Sequence, residues 1–437
     1  MKGFLSIIIV CFTSLYFFPV QFTYLLPGIN TKLILASFGA FFILYDLARY
    51  GRGLFDRNLF VLIIYALIVS ACGYASVIFN NTQDYAYATY IGSMLVWFSG
   101  AYFIVRLIKS VHGYVDVRLV ANYLIAVCVL QCFAAVLNDR FPVFKRYVDT
   151  YIQQGQDFIN SLSGSKRKYG IGANLDTAGV RFSIVLILIP AVLANLSDRL
   201  KEKWFWIYLA SFLFIIIEGN IIARTTIVGT VFACLYIVLN YKSFKTENRT
   251  YNRRISYSVA VVAVIGCLVT AYQFHTNESF EKDMRFGFEG FFSLIEKGEW
   301  QVSSNDRLET MYVFPDNLKT WLVGDGYFSN PINTDPYFIG KVTGGYYMGT
   351  DVGFLRFIFY FGLIGLGAFA AFFVKCGQIC GREYPEYKKA FYMLVVLGFV
   401  IWLKVSTDIF LVFALFIAAH MISTLGTPIT RQRELCG

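Results

Sequence analysis

Apolar runs of membrane-spanning length recur along this chain, separated by short polar segments rich in Lys and Arg. A spanning helix needs about 20 mostly apolar residues, because each residue rises about 1.5 Å and the hydrocarbon core is about 30 Å thick. Such runs stand near Phe4 to Phe18, Leu33 to Leu47, Leu59 to Phe79, Tyr90 to Leu107, Leu119 to Leu137 and Thr177 to Leu196. The second half continues with Trp204 to Glu218, Ile221 to Leu239, Ile255 to Phe274, Gly353 to Val374, Ala390 to Val405 and Ile409 to Ser423. The pattern predicts an all-α polytopic membrane protein of about twelve transmembrane helices. The polar breaks at Glu218 to Asn220 and Lys404 to Asp408 are read as hairpins between consecutive spans.

Charge orients the array, since short loops rich in Lys and Arg stay in the cytoplasm. Arg49, Arg52 and Arg57 fall in one loop, Arg106, Lys109 and Arg118 in the next on that side, then Arg199, Lys201 and Lys203. The cluster from Lys242 to Arg254, then Lys375, Arg382, Lys388 and Lys389, and finally Arg431 and Arg433 keep the alternation. Both termini are therefore expected in the cytoplasm, with the first helix retained as a span. The segment Asn138 to Asp176 is the exception, carrying Arg140, Lys145, Arg146, Lys166, Arg167 and Lys168 on the outer side.

Composition agrees with bilayer as the solvent. Hydrophobic residues make up 57% of the chain and aromatics 18%, more than a water-soluble domain can bury. The net charge of +10 is mostly this topology signal, so no nucleic-acid partner is expected. No tandem repeat or soluble domain stands out, and residues 1–437 read as one membrane domain.

Chemistry is then expected on the outer face, in two segments too long for turns: 138–176, and the larger 275–352 between the ninth and tenth spans. The larger one carries Trp300, Trp321, Tyr327, Phe328, Tyr337, Phe338, Tyr346 and Tyr347 among turn signals such as Gly324-Asp325-Gly326. These aromatics are either interfacial-belt residues or a platform for stacking sugars.

Arginines inside spans are the sharper signal, because a charge at the centre of a transmembrane helix costs at least about 2.5 kcal/mol. Arg181, Arg224 and Arg356 are each expected about one turn inside a helix running inward from the outer face, at similar depth. Snorkelling explains one such residue, whereas three together point to a shared anion site. Guanidinium suits a diphosphate because its planar fork donates paired hydrogen bonds and stays charged in a partly dry cavity. Arg307 and the cluster Lys166 to Lys168 could add to such a site.

Carboxylates near this region are Asp176, Asp306, Glu309, Asp325 and Asp351, any of which could accept a proton from a sugar hydroxyl. Asp351 is the leading candidate because it precedes the helix bearing Arg356; as a first-turn acid it also suits the helix dipole. Only His112, His275 and His420 are present, with no ligand spacing, so neither metal nor cofactor is expected. The cysteines sit in spans or on the cytoplasmic side, so disulfides are not expected in the outer segments.

Several short motifs resemble the O-antigen and capsule polymerases of the Wzy type and the related O-antigen ligases. They are Tyr169-Gly170-Ile171-Gly172-Ala173-Asn174 before the helix of Arg181, Ala223-Arg224-Thr225-Thr226, and Ser304-Asn305-Asp306-Arg307. Gly324-Asp325-Gly326-Tyr327 and the run Asp351-Val352-Gly353-Phe354-Leu355-Arg356 before Tyr360-Phe361-Gly362 complete the set. The resemblance implies a glycosyltransferase of the bacterial inner membrane that uses undecaprenyl diphosphate-linked oligosaccharide repeats. Further implied partners are membrane lipid, a chain-length regulator and a flippase.

Under this resemblance Arg181, Arg224 and Arg167 are the expected diphosphate-binding residues, and Asp351, Arg307 and Arg356 the catalytic ones. The arginines would stabilise charge building on the diphosphate while a carboxylate takes the acceptor's proton. The ligase branch uses a histidine in its late outer loop, where this chain offers only His275, near the membrane edge. A lipid-linked oligosaccharide flippase remains the alternative from another class; it would need no outer segment of this size.

Overall fold

A computed structural model describes the chain except residues 1, 27, 52–56, 154–167, 174, 248, 332–334, 336, 337, 339, 341, 342, 344, 345 and 426–437. The protein is an all-α membrane protein: among the described residues, 7 helices are long and apolar enough to cross a bilayer. These are α2 (Thr31–Tyr50), α3 (Arg57–Asn80), α4 (Tyr90–His112), α5 (Val117–Arg140), α7 (Leu175–Ala194), α8 (Asp198–Ile222) and α15 (Gly353–Glu383). Three shorter apolar helices are α1 (Lys2–Phe17), α9 (Thr226–Leu239) and α17 (Phe410–Thr424). With α10 (Arg249–Thr276) and α16 (Lys388–Ile401), a helix stands at every apolar run in the sequence.

Within the two long segments 138–176 and 275–352 the described chain is also helical. The first holds α6 (Pro142–Tyr151), and the second holds α11 (Glu278–Gly287), α12 (Glu289–Lys297), α13 (Ser303–Glu309) and α14 (Leu318–Val323). Their sequences are too polar and too short to span.

The chain divides into two compact units, Met1–Leu124 with Leu308–Gly437, and Ile125–Arg307. In the first, α17 is buried almost throughout its length and packs on α4, while α3, α14 and α16 pack on α15. In the second, α7 is the central helix, buried from Ala178 to Ala194 and packed on α8 and α9. A helix apolar on every side is what a position inside a helical array requires. Close approach of α9 to α7 depends on Gly229, where a Cβ would lie 2.2 Å from the Ser183 Cα. Small residues permit this kind of contact between membrane helices, where dispersion replaces the hydrophobic drive.

The hairpin expected at Glu218 to Asn220 lies further on. Helix α8 runs to Ile222, and the break falls at Ala223–Thr225. Hydroxyls explain the shift: the Thr226 Oγ1 donates to the Gly219 carbonyl at 2.9 Å, and Ser183 Oγ donates to the Thr225 carbonyl at 3.2 Å. Backbone groups freed by a helix break in lipid need such partners. The later break matches expectation, between Ile401 and Phe410.

Candidate functional site

In the first unit, Arg356 lies in the first turn of α15 and is 8% exposed. Its guanidinium is sandwiched between two rings, 3.8 Å from the centroid of Phe328 and 4.3 Å from that of Tyr346. Nη1 donates to Ser406 Oγ at 2.7 Å and Nη2 to the Phe328 carbonyl at 3.2 Å. Asp351 Oδ1 stands 3.7 Å from Nη1, a loose ion pair, and the Arg356 Nε has no hydrogen-bond partner among the described residues. Both faces of this cation are covered, and its Nε is buried without a partner among the described residues. Sequence reading places Asp351 just ahead of the helix bearing Arg356 but does not reach Ser406, Phe328 or Tyr346 as partners of that arginine.

The motif segments around Arg356 are bonded to one another. The backbone amides of Asp325 and Gly326 donate to the carbonyls of Phe359 and Tyr360 at 2.6 and 3.1 Å. This seats the Gly324-Asp325-Gly326-Tyr327 turn on the helix that carries Arg356. Tyr360 continues the network: its hydroxyl donates to the Asp84 carbonyl at 2.8 Å and lies 3.1 Å from the amides of Tyr87 and Ala88. Asp84 Oδ2 in turn accepts from the amides of Phe328 and Ser329 at 2.8 and 3.1 Å. Asp84, in the short α3–α4 connection, thus fixes Phe328 against the guanidinium. Nothing in its local sequence signals that role, because Phe328 and Ser329 are distant in the chain; locally, the Ala86 amide donates to Oδ1 at 3.1 Å.

Asp325 is a structural carboxylate here, accepting from Lys319 Nζ at 2.7 Å and Thr320 Oγ1 at 2.6 Å. Tyr327 and Tyr347 are packed residues, with centroids 5.3 Å apart, and burial together with a carboxylate neighbour pushes each phenol above its ordinary range. Trp300 and Phe314 keep 51% and 58% of their surface exposed, more than the other described aromatics of residues 275–352. Tyr337 lies outside the described residues.

Asp408 is a further carboxylate near this cluster, in the Trp402–Ile409 break that also supplies Ser406. Burial pushes its pKa up to about 6, opposed by the amide of Phe410, which donates to Oδ1 at 2.8 Å. Sequence reasoning missed it, although a carboxylate inside a brief interruption between two apolar helices is a visible signal.

No protein-family model, no curated protein and no solved structure matches this chain. Function therefore has to be argued from the residues and their geometry.

The second unit holds Arg181 and Arg224. Arg181 is buried on α7 at 8% exposure, further into its helix than Arg356 is into α15. Arg224 is not inside a helix but in the break between α8 and α9. Its Nη1 pairs with Glu289 Oε2 at 2.5 Å and reaches Ser303 Oγ at 3.3 Å; Nε donates to the Phe286 carbonyl at 3.0 Å. The Phe286 ring lies 4.2 Å beneath the guanidinium. Asp176, at the start of α7, accepts from Thr225 Oγ1 and so ties the two motif segments together.

Lys168 is nearly buried and faces three carboxylates, Asp283 at 2.7 Å, Asp139 at 3.7 Å and Glu218 at 3.9 Å. Burial opposes its charge, but the hydrogen bond to Asp283 and the fields of Glu218 and Asp283 hold the ammonium above its ordinary range. This lysine is a structural cation, not an addition to an anion site. Arg167 lies outside the described residues, and Arg307 is placed only by its backbone in α13. No cluster of three or more metal-ligating side chains occurs among the described residues.

Proposed function

We propose that this protein is a polysaccharide polymerase of the bacterial inner membrane. In this reading it spans the bilayer about twelve times, with both termini in the cytoplasm. It transfers undecaprenyl diphosphate-linked oligosaccharide repeats onto a lipid-linked acceptor at the periplasmic face, as an O-antigen or capsule enzyme. The observation that carries the reading is the seating of the Gly324–Tyr327 turn on the Tyr360-Phe361-Gly362 helix beside Arg356. Two segments that resemble the polymerases separately are joined through their backbones, which supports treating them as parts of one working region.

The chemistry assigned is glycosyl transfer without metal. Arginine charge stabilises the diphosphate as the anomeric bond breaks, and a carboxylate takes the acceptor hydroxyl's proton. Arg356 with its buried, unpartnered Nε, Arg307 and Asp351 are the catalytic candidates; Arg181, Arg224 and Arg167 are the candidates for holding diphosphate. Arg224 would have to exchange its Glu289 partner for phosphate oxygens, one anionic oxygen acceptor for another.

Deleting the gene in its host and running surface polysaccharide on a gel tests the reading. Single repeats in place of a ladder are expected, and Arg356→Ala should reproduce that pattern at unchanged protein level. A surviving ladder in the deletion overturns the polymerase assignment. Full-length polymer stranded on its carrier would assign a ligase instead, and loss of every repeat from the outer face a flippase.

A further inference from the structure

Helix α6 has two faces of opposite character. Val143, Tyr147 and Tyr151 follow at intervals of four and share one side of the helix, where they are 67%, 60% and 47% exposed. Phe141, just ahead of the helix, is 57% exposed, and the rings of Tyr147 and Tyr151 lie nearly parallel with centroids 6.1 Å apart. The other side is held by protein: Val148 is buried, and Asp149 accepts the Tyr169 hydroxyl at 2.8 Å. Lys145 reaches back over the Tyr169 ring at 5.7 Å.

Position in the chain says what covers the exposed stripe. Helix α5 is long and apolar enough to span and ends at Arg140; after Phe141 alone, Pro142 opens α6. Ten residues make a rod of about 15 Å, half the hydrocarbon thickness, so α6 does not cross. It begins where a span ends, its exposed side is aromatic, Arg140 precedes it, and Lys145 and Arg146 stand on it. Tyrosine rings and basic residues on a short amphipathic helix match the boundary between acyl chains and acidic headgroups.

We propose that α6 lies in the plane of the membrane surface, its Val143–Tyr147–Tyr151 stripe seated in anionic phospholipid. Docking there would hold Tyr169 through Asp149 and so steady the Tyr169–Ala173 segment ahead of α7, where Gln131 Oε1 accepts from the Ile171 amide at 2.8 Å. The proposal is independent of which reaction the protein catalyses.

The test is p-benzoylphenylalanine at position 147 in the full chain, irradiated in nanodiscs containing phosphatidylglycerol and analysed by mass spectrometry. A phospholipid adduct is expected. Val143→Asp combined with Tyr151→Asp should abolish it, and the milder Arg146→Glu, on an exposed position, should reduce it in phosphatidylglycerol but not in phosphatidylcholine. An adduct within the chain, an adduct to a second copy, or no adduct overturns the proposal. An adduct equal in both lipids with Arg146 intact overturns the anionic preference.

Discussion

A side chain at Gly362 would place its Cβ 2.1 Å from the carbonyl oxygen of Leu322. The φ of 68° with ψ of −174° is also a backbone state that essentially only glycine adopts. Helix α15 is interrupted at this point, and the interruption lets α14 press its C-terminal turn against the helix beside the Gly324–Tyr327 turn. Gly362→Ala is therefore expected to cost more than about 3 kcal/mol, combining strain with overpacking. Thermal unfolding in detergent checks this. Gly367→Ala, which meets nothing within 4 Å, is the control and should leave the midpoint nearly unchanged.

Tyr360→Phe tests the network behind Arg356 in a gentler way. Its hydroxyl serves the Asp84 carbonyl and the amides of Tyr87 and Ala88, of which Ala88 is buried and the other two half-buried. Losing it strands buried backbone groups at about 1 to 3 kcal/mol while leaving the ring in place. The expected outcome is a lower unfolding midpoint together with reduced polymer, because Asp84 also orients Phe328. Full activity at a lowered midpoint would separate this network from the working region.

Much of the fold was legible in the sequence because bilayer thickness imposes a length and polarity rule on each helix. Helices at every apolar run, and the nearness of Asp351 to Arg356 five residues on, follow from local information. The Gly324 turn on Tyr360, the Asp84 bonds to Phe328 and the carboxylates around Lys168 are long-range contacts with no local period. Arg224 was misread for a related reason: an apolar run does not reveal that its helix starts at Thr226, past the arginine.

Lys168→Met should expose how the second unit balances charge. Without the ammonium, Asp139, Glu218 and Asp283 are left facing one another, and breaking such a buried arrangement costs about 3 kcal/mol. Adding Asp283→Asn should recover part of the midpoint; no recovery would remove Lys168 from its assigned role.

Asp408 gives stability a pH dependence of definite sign. Its pKa is pushed up to about 6 in the folded protein, above the ordinary carboxylate value, so the folded state binds the proton more tightly than the unfolded chain. The stabilisation from that proton is complete below the unfolded value and is lost as pH rises through about 6. Asp408→Asn removes the titrating group while keeping an acceptor for the Phe410 amide. Relative to the parent, the variant should therefore gain in unfolding midpoint on going from about pH 4 to about pH 8, with the change centred between the two pKa values. A constant difference across that range would mean that Asp408 does not titrate as its packing dictates. If polymer synthesis by the parent also rises through the same interval and the variant is inactive, the carboxylate acts in proton transfer as well as in the packing beside Ser406.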